Sequence, residues 1–355
     1  MATDEVDYRF RPMTPSIAVC MATYEPALEL LERQIRSIRE QTVGDFVCLV
    51  SDDGSTPSVA RAIEEACRDD ERFRFVRHSG RVGYYRNFER CLELVPLGVR
   101  FVALSDQDDV WHPDKLETLV GAFSTDRIQL AYADMAIVLS SGEPLAPSYW
   151  TDRANNYTDL ASLLLINTVT GAASLFRREL LEVALPFPAA PGPQFHDHWL
   201  ACVALALGEI AFVDRPLHDY VQHGDNVVGR HEPLPAELRG GLVNALRRFA
   251  RNPRRRLRNT IGHARRYFED EVVTRQAFAR ALRERLDGQV RPDAAPAIDR
   301  IADMSTSLRS LVWLFGRSAR DLRGDGPTLG IENQLIKGIL WHRLHRGTPA
   351  VSGGS

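Results

Sequence analysis

The sequence has no C-x-x-C pair, no apolar run long enough to cross a bilayer and no strong net charge. Its five cysteines, Cys20, Cys48, Cys67, Cys91 and Cys202, are scattered and odd in number. That excludes a disulfide framework and fits a reduced, cytosolic setting. Cys20 and Cys48 lie inside apolar strand-like runs, where cysteine acts as a small buried hydrophobe. The most apolar stretch, Trp199 to Val213, is broken by Gly208 and Glu209 and is too short to span a membrane. Met1-Ala2-Thr3-Asp4-Glu5 has neither the basic start nor the apolar core of a signal peptide. The expected location is the cytoplasm.

Net charge is −3, which gives no global pull toward nucleic acid or anionic lipid, but the charge is unevenly spread. No acidic residue stands between Glu237 and Glu269, while arginines accumulate from Arg239 to Arg266. Such a tract reads as a basic face resting on an anionic membrane surface, at roughly 1 kcal/mol per charge. The alternative is a solvated helix face. Few aromatics interleave with these arginines, which argues against nucleic acid as a partner.

What is present is an ordinary globular composition, 44% hydrophobic and 26% charged, in 355 residues. That length allows one large domain with an appendage, or two domains. The first 140 residues alternate apolar strands with amphipathic helices. Strands are expected at 16–21, 46–50, 73–77, 99–104 and 129–133, and helices at 26–40, 56–67, 85–95 and 114–123. Thr56 is placed to cap the second helix, with Pro57 in its first turn. This rhythm implies βαβ units and a mostly parallel sheet. A helix is expected over 158–165, a strand over 168–176, a proline-rich loop over 184–194 and a helix over 197–207. From about Pro233 the pattern is helical only.

Leu104-Ser105-Asp106-Gln107-Asp108-Asp109-Val110-Trp111 is the most telling segment. It crowds three carboxylates at the end of an apolar strand, where holding all of them ionised is costly. A hard divalent cation shared with a substrate phosphate removes that cost. The bland alternative is an acidic helix N-terminus. Ligands of open α/β sheets bind outside the carboxyl ends of the strands. That rule gathers Thr23-Tyr24-Glu25, Asp52-Asp53-Gly54-Ser55, Arg81 to Asn87 and Asp106 to Asp109 on one edge. An aspartyl-phosphate phosphatase is excluded, because Ser51 stands where its nucleophilic aspartate belongs.

Together, Cys20-Met21-Ala22-Thr23-Tyr24, Val50-Ser51-Asp52-Asp53-Gly54-Ser55, Asp106-Gln107-Asp108-Asp109, His196-Asp197-His198-Trp199-Leu200 and Tyr220-Val221-Gln222-His223-Gly224-Asp225-Asn226 resemble the family-2 inverting glycosyltransferases of the GT-A fold. The segment Ser105 to Trp111 is similar to a subset assigned as rhamnosyltransferases. The resemblance implies an α/β, Rossmann-like GT-A domain over 16–232. A flexible N-terminus (1–15), a helical C-terminal extension (233–346) and a disordered tail (347–355) would surround it.

It further implies that Thr23, Tyr24 and Glu25 contact the nucleotide and that Asp52, helped by Asp53, accepts a hydrogen bond from a pyrimidine ring. Arg81 and Gln107 would also lie on the nucleotide, while Asn87 either contacts it or packs a helix. Asp108 and His223 would hold Mn²⁺ or Mg²⁺, with Asp106 as ribose contact or further ligand. The literal Asp106-x-Asp108 and the shifted Asp108-Asp109 frames both remain open. Asp197 is the implied catalytic base, with His196 where a glutamate is usual. His196, His198 and Trp199 are candidates for the acceptor side. A zinc site at His196 and His198 is disfavoured, because residues two apart on a helix face different ways.

The implied activity moves a sugar from a UDP- or dTDP-linked donor, dTDP-rhamnose among them, to a glycan or lipid-linked acceptor of the cell envelope. Two rivals stand beside it. A nucleotidyltransferase needs a glycine-rich loop where Thr23-Tyr24-Glu25-Pro26 stands. A non-catalytic sugar-nucleotide-binding scaffold of a membrane assembly shares every binding motif.

Overall fold

The computed structural model describes residues 15–149, 155–223, 263–286, 288–321, 328 and 330–345. The expected flexible N-terminus, the tail 347–355, residues Gly224–Asn226 and nearly all of the Arg239–Arg266 tract lie outside them.

Strand β1 (Ile17–Thr23) is buried on both faces. Ala18 and Cys20 enter one apolar cluster, and Ile17, Val19 and Met21 enter another. A strand apolar on both sides belongs between two layers of helices. The alternation continues through α1 (Leu28–Arg39), β2 (Phe46–Asp52), α2 (Pro57–Cys67), β3 (Phe73–Arg77), α3 (Tyr84–Glu93) and β4 (Phe101–Ser105). Next come β5 (Val110–Trp111), α4 (Lys115–Gly121), β6 (Ile128–Leu139), β7 (Pro144–Ala146), α5 (Leu160–Leu165), β8 (Ser174–Arg177), α6 (Leu181–Ala184), α7 (His196–Leu207) and β9 (Glu209–Gln222). Helices α8 (Val273–Arg285), α9 (Ala295–Ala302), α10 (Leu308–Asp321) and α11 (Ile331–His345) follow.

The nine-stranded sheet has the order β3-β2-β1-β4-β8-β6-β9-β5, with β7 on β6. Strands β1, β2, β3, β4, β6 and β9 run one way, and β5, β7 and β8 the other. The chain leaves β1 toward β2 on one side and returns to β4 on the other. The carboxyl ends of β1 and β4 therefore flank a switch point, where α/β sheets bind ligands.

Leu31, Ile35 and Ile38 of α1, Ile63 of α2 and Leu116 and Leu119 of α4 cover one face. The opposite face carries Phe88 and Leu92 of α3, Leu163 of α5 and Trp199 of α7. Phe278, Leu282, Ile301 and Leu335 from the C-terminal helices join that same core. No described helix is long and apolar enough to cross a membrane.

Three local expectations are corrected. Thr56 precedes α2 but its hydroxyl makes no side-chain cap; its own N–H donates to Glu25 Oε1 at 2.6 Å. The expected strand 168–176 is a 3₁₀ turn, Gly171–Ala173, followed by the short β8. Strand β9 was not read at all, because Asp214-Arg215-Pro216 interrupts its apolar pattern. The pairing of β9 with β6 absorbs Pro216 through register shifts beside Asp134, as expected where proline withholds an N–H.

Candidate active site

The rim at the ends of β1, β2 and β4 is laced by side chains. Asp52 is fully buried: Oδ2 accepts from Ser55 N at 2.9 Å, and Oδ1 from Ser55 Oγ at 2.5 Å and Thr23 Oγ1 at 3.3 Å. Asp53 is 2% exposed and receives Val82 N at 2.8 Å and Gly83 N at 2.7 Å, so it anchors the loop that starts α3. Gly54, at φ +81°, permits this approach, since a Cβ would sit 3.3 Å from the Gly80 carbonyl carbon.

Asn87 donates from Nδ2 to Ser51 O at 2.8 Å and Thr23 O at 3.3 Å, and accepts from Ser51 Oγ at 2.7 Å. In this structure Thr23, Asp52, Asp53 and Asn87 are enclosed and brace the rim. Asp53 and Asn87 order backbone groups that loops at strand ends would otherwise leave unsatisfied, and Asp52 also holds the hydroxyls of Thr23 and Ser55.

The accessible side of this rim is formed by Tyr24, Glu25, Arg81 and Gln107. The Arg81 guanidinium stacks over the Tyr24 ring at 4.0 Å. Gln107 accepts from Tyr24 N at 2.9 Å and donates to Tyr24 O at 3.4 Å, clasping the end of β1 to the acidic turn. Glu25 adopts φ +42°, and its N–H donates to Ser55 Oγ while its carboxylate accepts from Thr56 N.

The acidic turn divides by direction. Asp108 faces the loop after β9, with Oδ2 2.7 Å from His223 Nε2. Asp109 turns inward and is fully buried, its Oδ1 accepting from Val221 N at 3.4 Å and its Oδ2 lying 3.8 Å from His218 Nε2. Burial, then Asp108 and Asp106, push the Asp109 carboxyl well up. The shifted Asp108-Asp109 frame therefore loses its second member to the core, and the Asp106-x-Asp108 frame is the one facing the rim. Asp106 is raised to about 7 by burial first, and then by the charges of Asp108 and Asp197.

Asp197 lies in the first turn of α7. Its Oδ1 accepts from His198 N at 2.6 Å and its Oδ2 from Gly171 N at 3.2 Å. Desolvation raises it to about 6 in spite of these bonds. A carboxylate held there is suited to accept a proton near neutral pH.

The neighbouring side chains act differently from expectation. His196 stacks on Phe88 at 3.7 Å, and burial drives its imidazole down to about 3. A Cβ at Gly171 would stand 2.8 Å from His196 Nε2, so only glycine fits between that ring and Asp197. The His198 ring meets Leu163 O at 2.7 Å and Phe278 edge-on. Trp199 is fully buried, donating from Nε1 to Ala184 O at 2.9 Å. In this structure His196, His198 and Trp199, the candidates for the acceptor side, are enclosed, and both ring nitrogens of His196 are buried without a hydrogen-bond partner among the described residues. The two imidazoles diverge, as helix spacing requires.

Among the described residues, no group of three or more His, Cys, Asp or Glu side chains is arranged to hold a metal ion. Asp108 and His223 do converge, and Asp106 is close enough to feel the Asp108 charge. Oxygen donors with one imidazole suit Mn²⁺, and Mg²⁺ sites commonly use one or two carboxylates completed by substrate phosphate.

Two residues that sequence reasoning missed are Gly171 and Lys115. Lys115 is fully buried, donates from Nζ to Ala172 O, and lies 4.0 Å from the centre of the Trp111 ring. A lysine sharing the i, i+4 stripe of Leu119, on an apolar helix face, was the available signal.

The sheet switches between β1 and β4 with carboxylates gathered at that switch, and by its likeness to solved structures the fold is of the GT-A class of α/β folds. Residues 18–185 match the Glycosyl transferase family 2 model, and the chain carries a domain of that family. An uncharacterized glycosyltransferase of Nostoc sp. is 28% identical over 59% of this chain and 66% of that protein, so the chain spans less than two thirds of this relative. The dTDP-rhamnosyl transferase RfbG of Shigella flexneri is 27% identical over 63% of this chain and 78% of its own length. Among solved structures, S. aureus TarS 1–349 shares the fold at a TM-score of 0.52 and 13% identity, covering 93% of this chain and 91% of that one.

Proposed function

We propose that this protein is an inverting glycosyltransferase that takes a UDP- or dTDP-linked sugar and transfers it to a hydroxyl of a growing cell-surface polysaccharide or glycolipid. The observation that carries this reading is the placement of Asp197, in the first turn of α7 and held by Gly171 N, near enough to Asp106 for its charge to be felt there. It sets a carboxylate base beside the acidic phosphate–metal motif. The similarity to RfbG, named a dTDP-rhamnosyl transferase, favours dTDP-rhamnose as the first donor to test.

In this mechanism Tyr24 and Arg81 form a wall for the nucleobase, and Gln107 keeps that wall joined to the acidic turn. Asp106, Asp108 and His223 would hold Mn²⁺ or Mg²⁺, which when bound supplies positive charge against the departing diphosphate. Asp197 takes the acceptor hydroxyl proton as that oxygen attacks the anomeric carbon from the face opposite the leaving group. A single carboxylate suffices for inversion, and such assistance is worth roughly 10²–10⁴ in rate.

The same reading places the enzyme in the cytoplasm, touching an anionic membrane through the Arg239–Arg266 tract. Exposed Leu308, Val312 and Phe315 on α10, with exposed Arg309 beside them, support that contact. Sedimentation with phosphatidylglycerol vesicles that is lost at high salt is the expected result.

Calorimetric titration of UDP and dTDP, with and without Mn²⁺, followed by an assay of dTDP-rhamnose and UDP-GlcNAc hydrolysis, tests the activity. Metal-enhanced binding with slow hydrolysis is expected. Binding without hydrolysis or transfer would favour a scaffold, and no binding at all would overturn the proposal.

A further inference from the structure

Lys115 is a buried charged group beside the site to which the transfer reaction as drawn gives no role. It is the first residue of α4, close behind the acidic turn, and it has no exposure to solvent. Its ammonium has a single carbonyl acceptor, Ala172 O, and an aromatic face, Trp111. Desolvation lowers it to about 7, while the charges of Asp109 and Asp106 favour the ammonium form. Enclosing a charge in this way is expensive, and an apolar residue of similar shape is often no less stable.

The acceptor gives Lys115 its meaning. Ala172 is part of the Gly171–Ala173 turn, and Gly171 N donates to Asp197 Oδ2 at 3.2 Å. Ser174 Oγ closes the turn by donating to Gly171 O at 2.7 Å. On its other side the turn is wedged against His196, with no room for even a Cβ at Gly171. The turn is thus gripped at Ala172 by the first residue of α4 and at Gly171 by the carboxylate of α7.

We propose that Lys115 is a positioning residue for the transfer step: its bond to Ala172 O fixes the Gly171–Ala173 turn, and the turn fixes the Asp197 carboxylate relative to the acidic motif. This inference rests on the proposed role of Asp197 as base. Lys115 touches neither donor nor acceptor in this scheme. Small misplacements of a base are expensive in rate, which is why an indirect support can matter.

The test is a double-mutant cycle of Lys115→Met with Asp197→Asn, read by dTDP-rhamnose hydrolysis in Mn²⁺ and by calorimetric binding of dTDP. Lys115→Met should lower kcat by about tenfold or more in the wild-type background and by less than about twofold beside Asp197→Asn, because groups acting through one another are not additive. Binding of dTDP should change by less than about twofold. The acid limb of the pH–rate profile should move to higher pH, since Asp197 loses the Gly171 N–H that lowers its pKa.

Equal losses in both backgrounds, or a loss of dTDP binding that parallels the loss of kcat, would overturn the proposal. If Lys115→Met shows no thermal unfolding transition, Lys115→Gln, which keeps an N–H donor, goes through the same cycle. Near wild-type kcat in that variant supports the role, and an equal loss in both backgrounds overturns it. A wild-type protein that hydrolyses no sugar nucleotide would sink the glycosyltransferase reading itself, a result distinct from a cycle that comes out additive.

Discussion

The aspartates at the end of β2 and the aspartate that opens α7 are the same residue type put to opposite uses. Asp53 spends both oxygens on the backbone N–H groups of Val82 and Gly83 and holds a loop in place. Asp197 also accepts two backbone N–H groups, yet desolvation outweighs them and leaves its carboxyl raised to about 6. The difference lies in counter-charge and not in hydrogen-bond count or enclosure: Asp53, the more enclosed of the two at 2% exposure, has the Arg90 guanidinium 3.8 Å away, and no such cation stands by Asp197 among the described residues. A carboxylate becomes a proton acceptor when the fold desolvates it without supplying a counter-charge.

The sharpest way to break this contrast is Asp197→Asn. Transfer should fall roughly 10²–10⁴-fold while dTDP binding, followed by calorimetry, stays unchanged. The same variant should gain thermal stability at pH 8. A raised carboxyl pKa means that the ionised form is disfavoured in the folded state, so the penalty is complete above about pH 6, shrinks as pH falls and vanishes only below the ordinary carboxyl value of 3.8. A smaller gain is expected at pH 5, and none at pH 3. A parallel loss of binding and activity would make Asp197 a brace like Asp53.

Asp53→Ala should do the reverse, costing about 1–3 kcal/mol for each backbone N–H left without an acceptor. Thermal unfolding and nucleotide affinity should then decline together. A variant that keeps its melting temperature but loses catalysis would contradict the assignment.

The third test is the pH–rate profile. Below about pH 6 the wild-type rate should drop by about tenfold per unit as Asp197 takes up a proton, and the residual rate of Asp197→Asn should lack that limb. The smallest effect is expected from Gln107→Ala, about 0.5–1.5 kcal/mol of stability lost with the amide clasp on Tyr24. Chemical denaturation reads it.

How much of this was legible in the sequence depended on whether local pattern and chemistry agreed. The βαβ rhythm gave β1 to β4 and their helices, because strands buried on both faces leave unmistakable apolar runs. The rule that ligands gather at strand ends brought Thr23, Asp52, Arg81 and Asp106 to one rim. It could not say which of them face outward, since direction at a strand end depends on the turn that follows. For that reason Asp106 and Asp109 were rival companions of Asp108 on paper, while in the fold Asp108 meets His223 and Asp109 is sealed beside His218. Strand β9 was hidden by Asp214-Arg215-Pro216, a polar break that its long pairing with β6 overrides. The turn at Gly171 was hidden because its reason, the ring of His196, is 25 residues further along the chain.

The clasp between Gln107 and Tyr24 makes the nucleobase wall and the acidic turn one mechanical unit. Whatever seats itself against Tyr24 must also bias where Asp106 and Asp108 come to rest, and an ion drawn to those carboxylates must steady Tyr24 in return. Reciprocity of this kind is thermodynamically obligatory. Any help or hindrance that one occupant gives the other is therefore returned in equal measure.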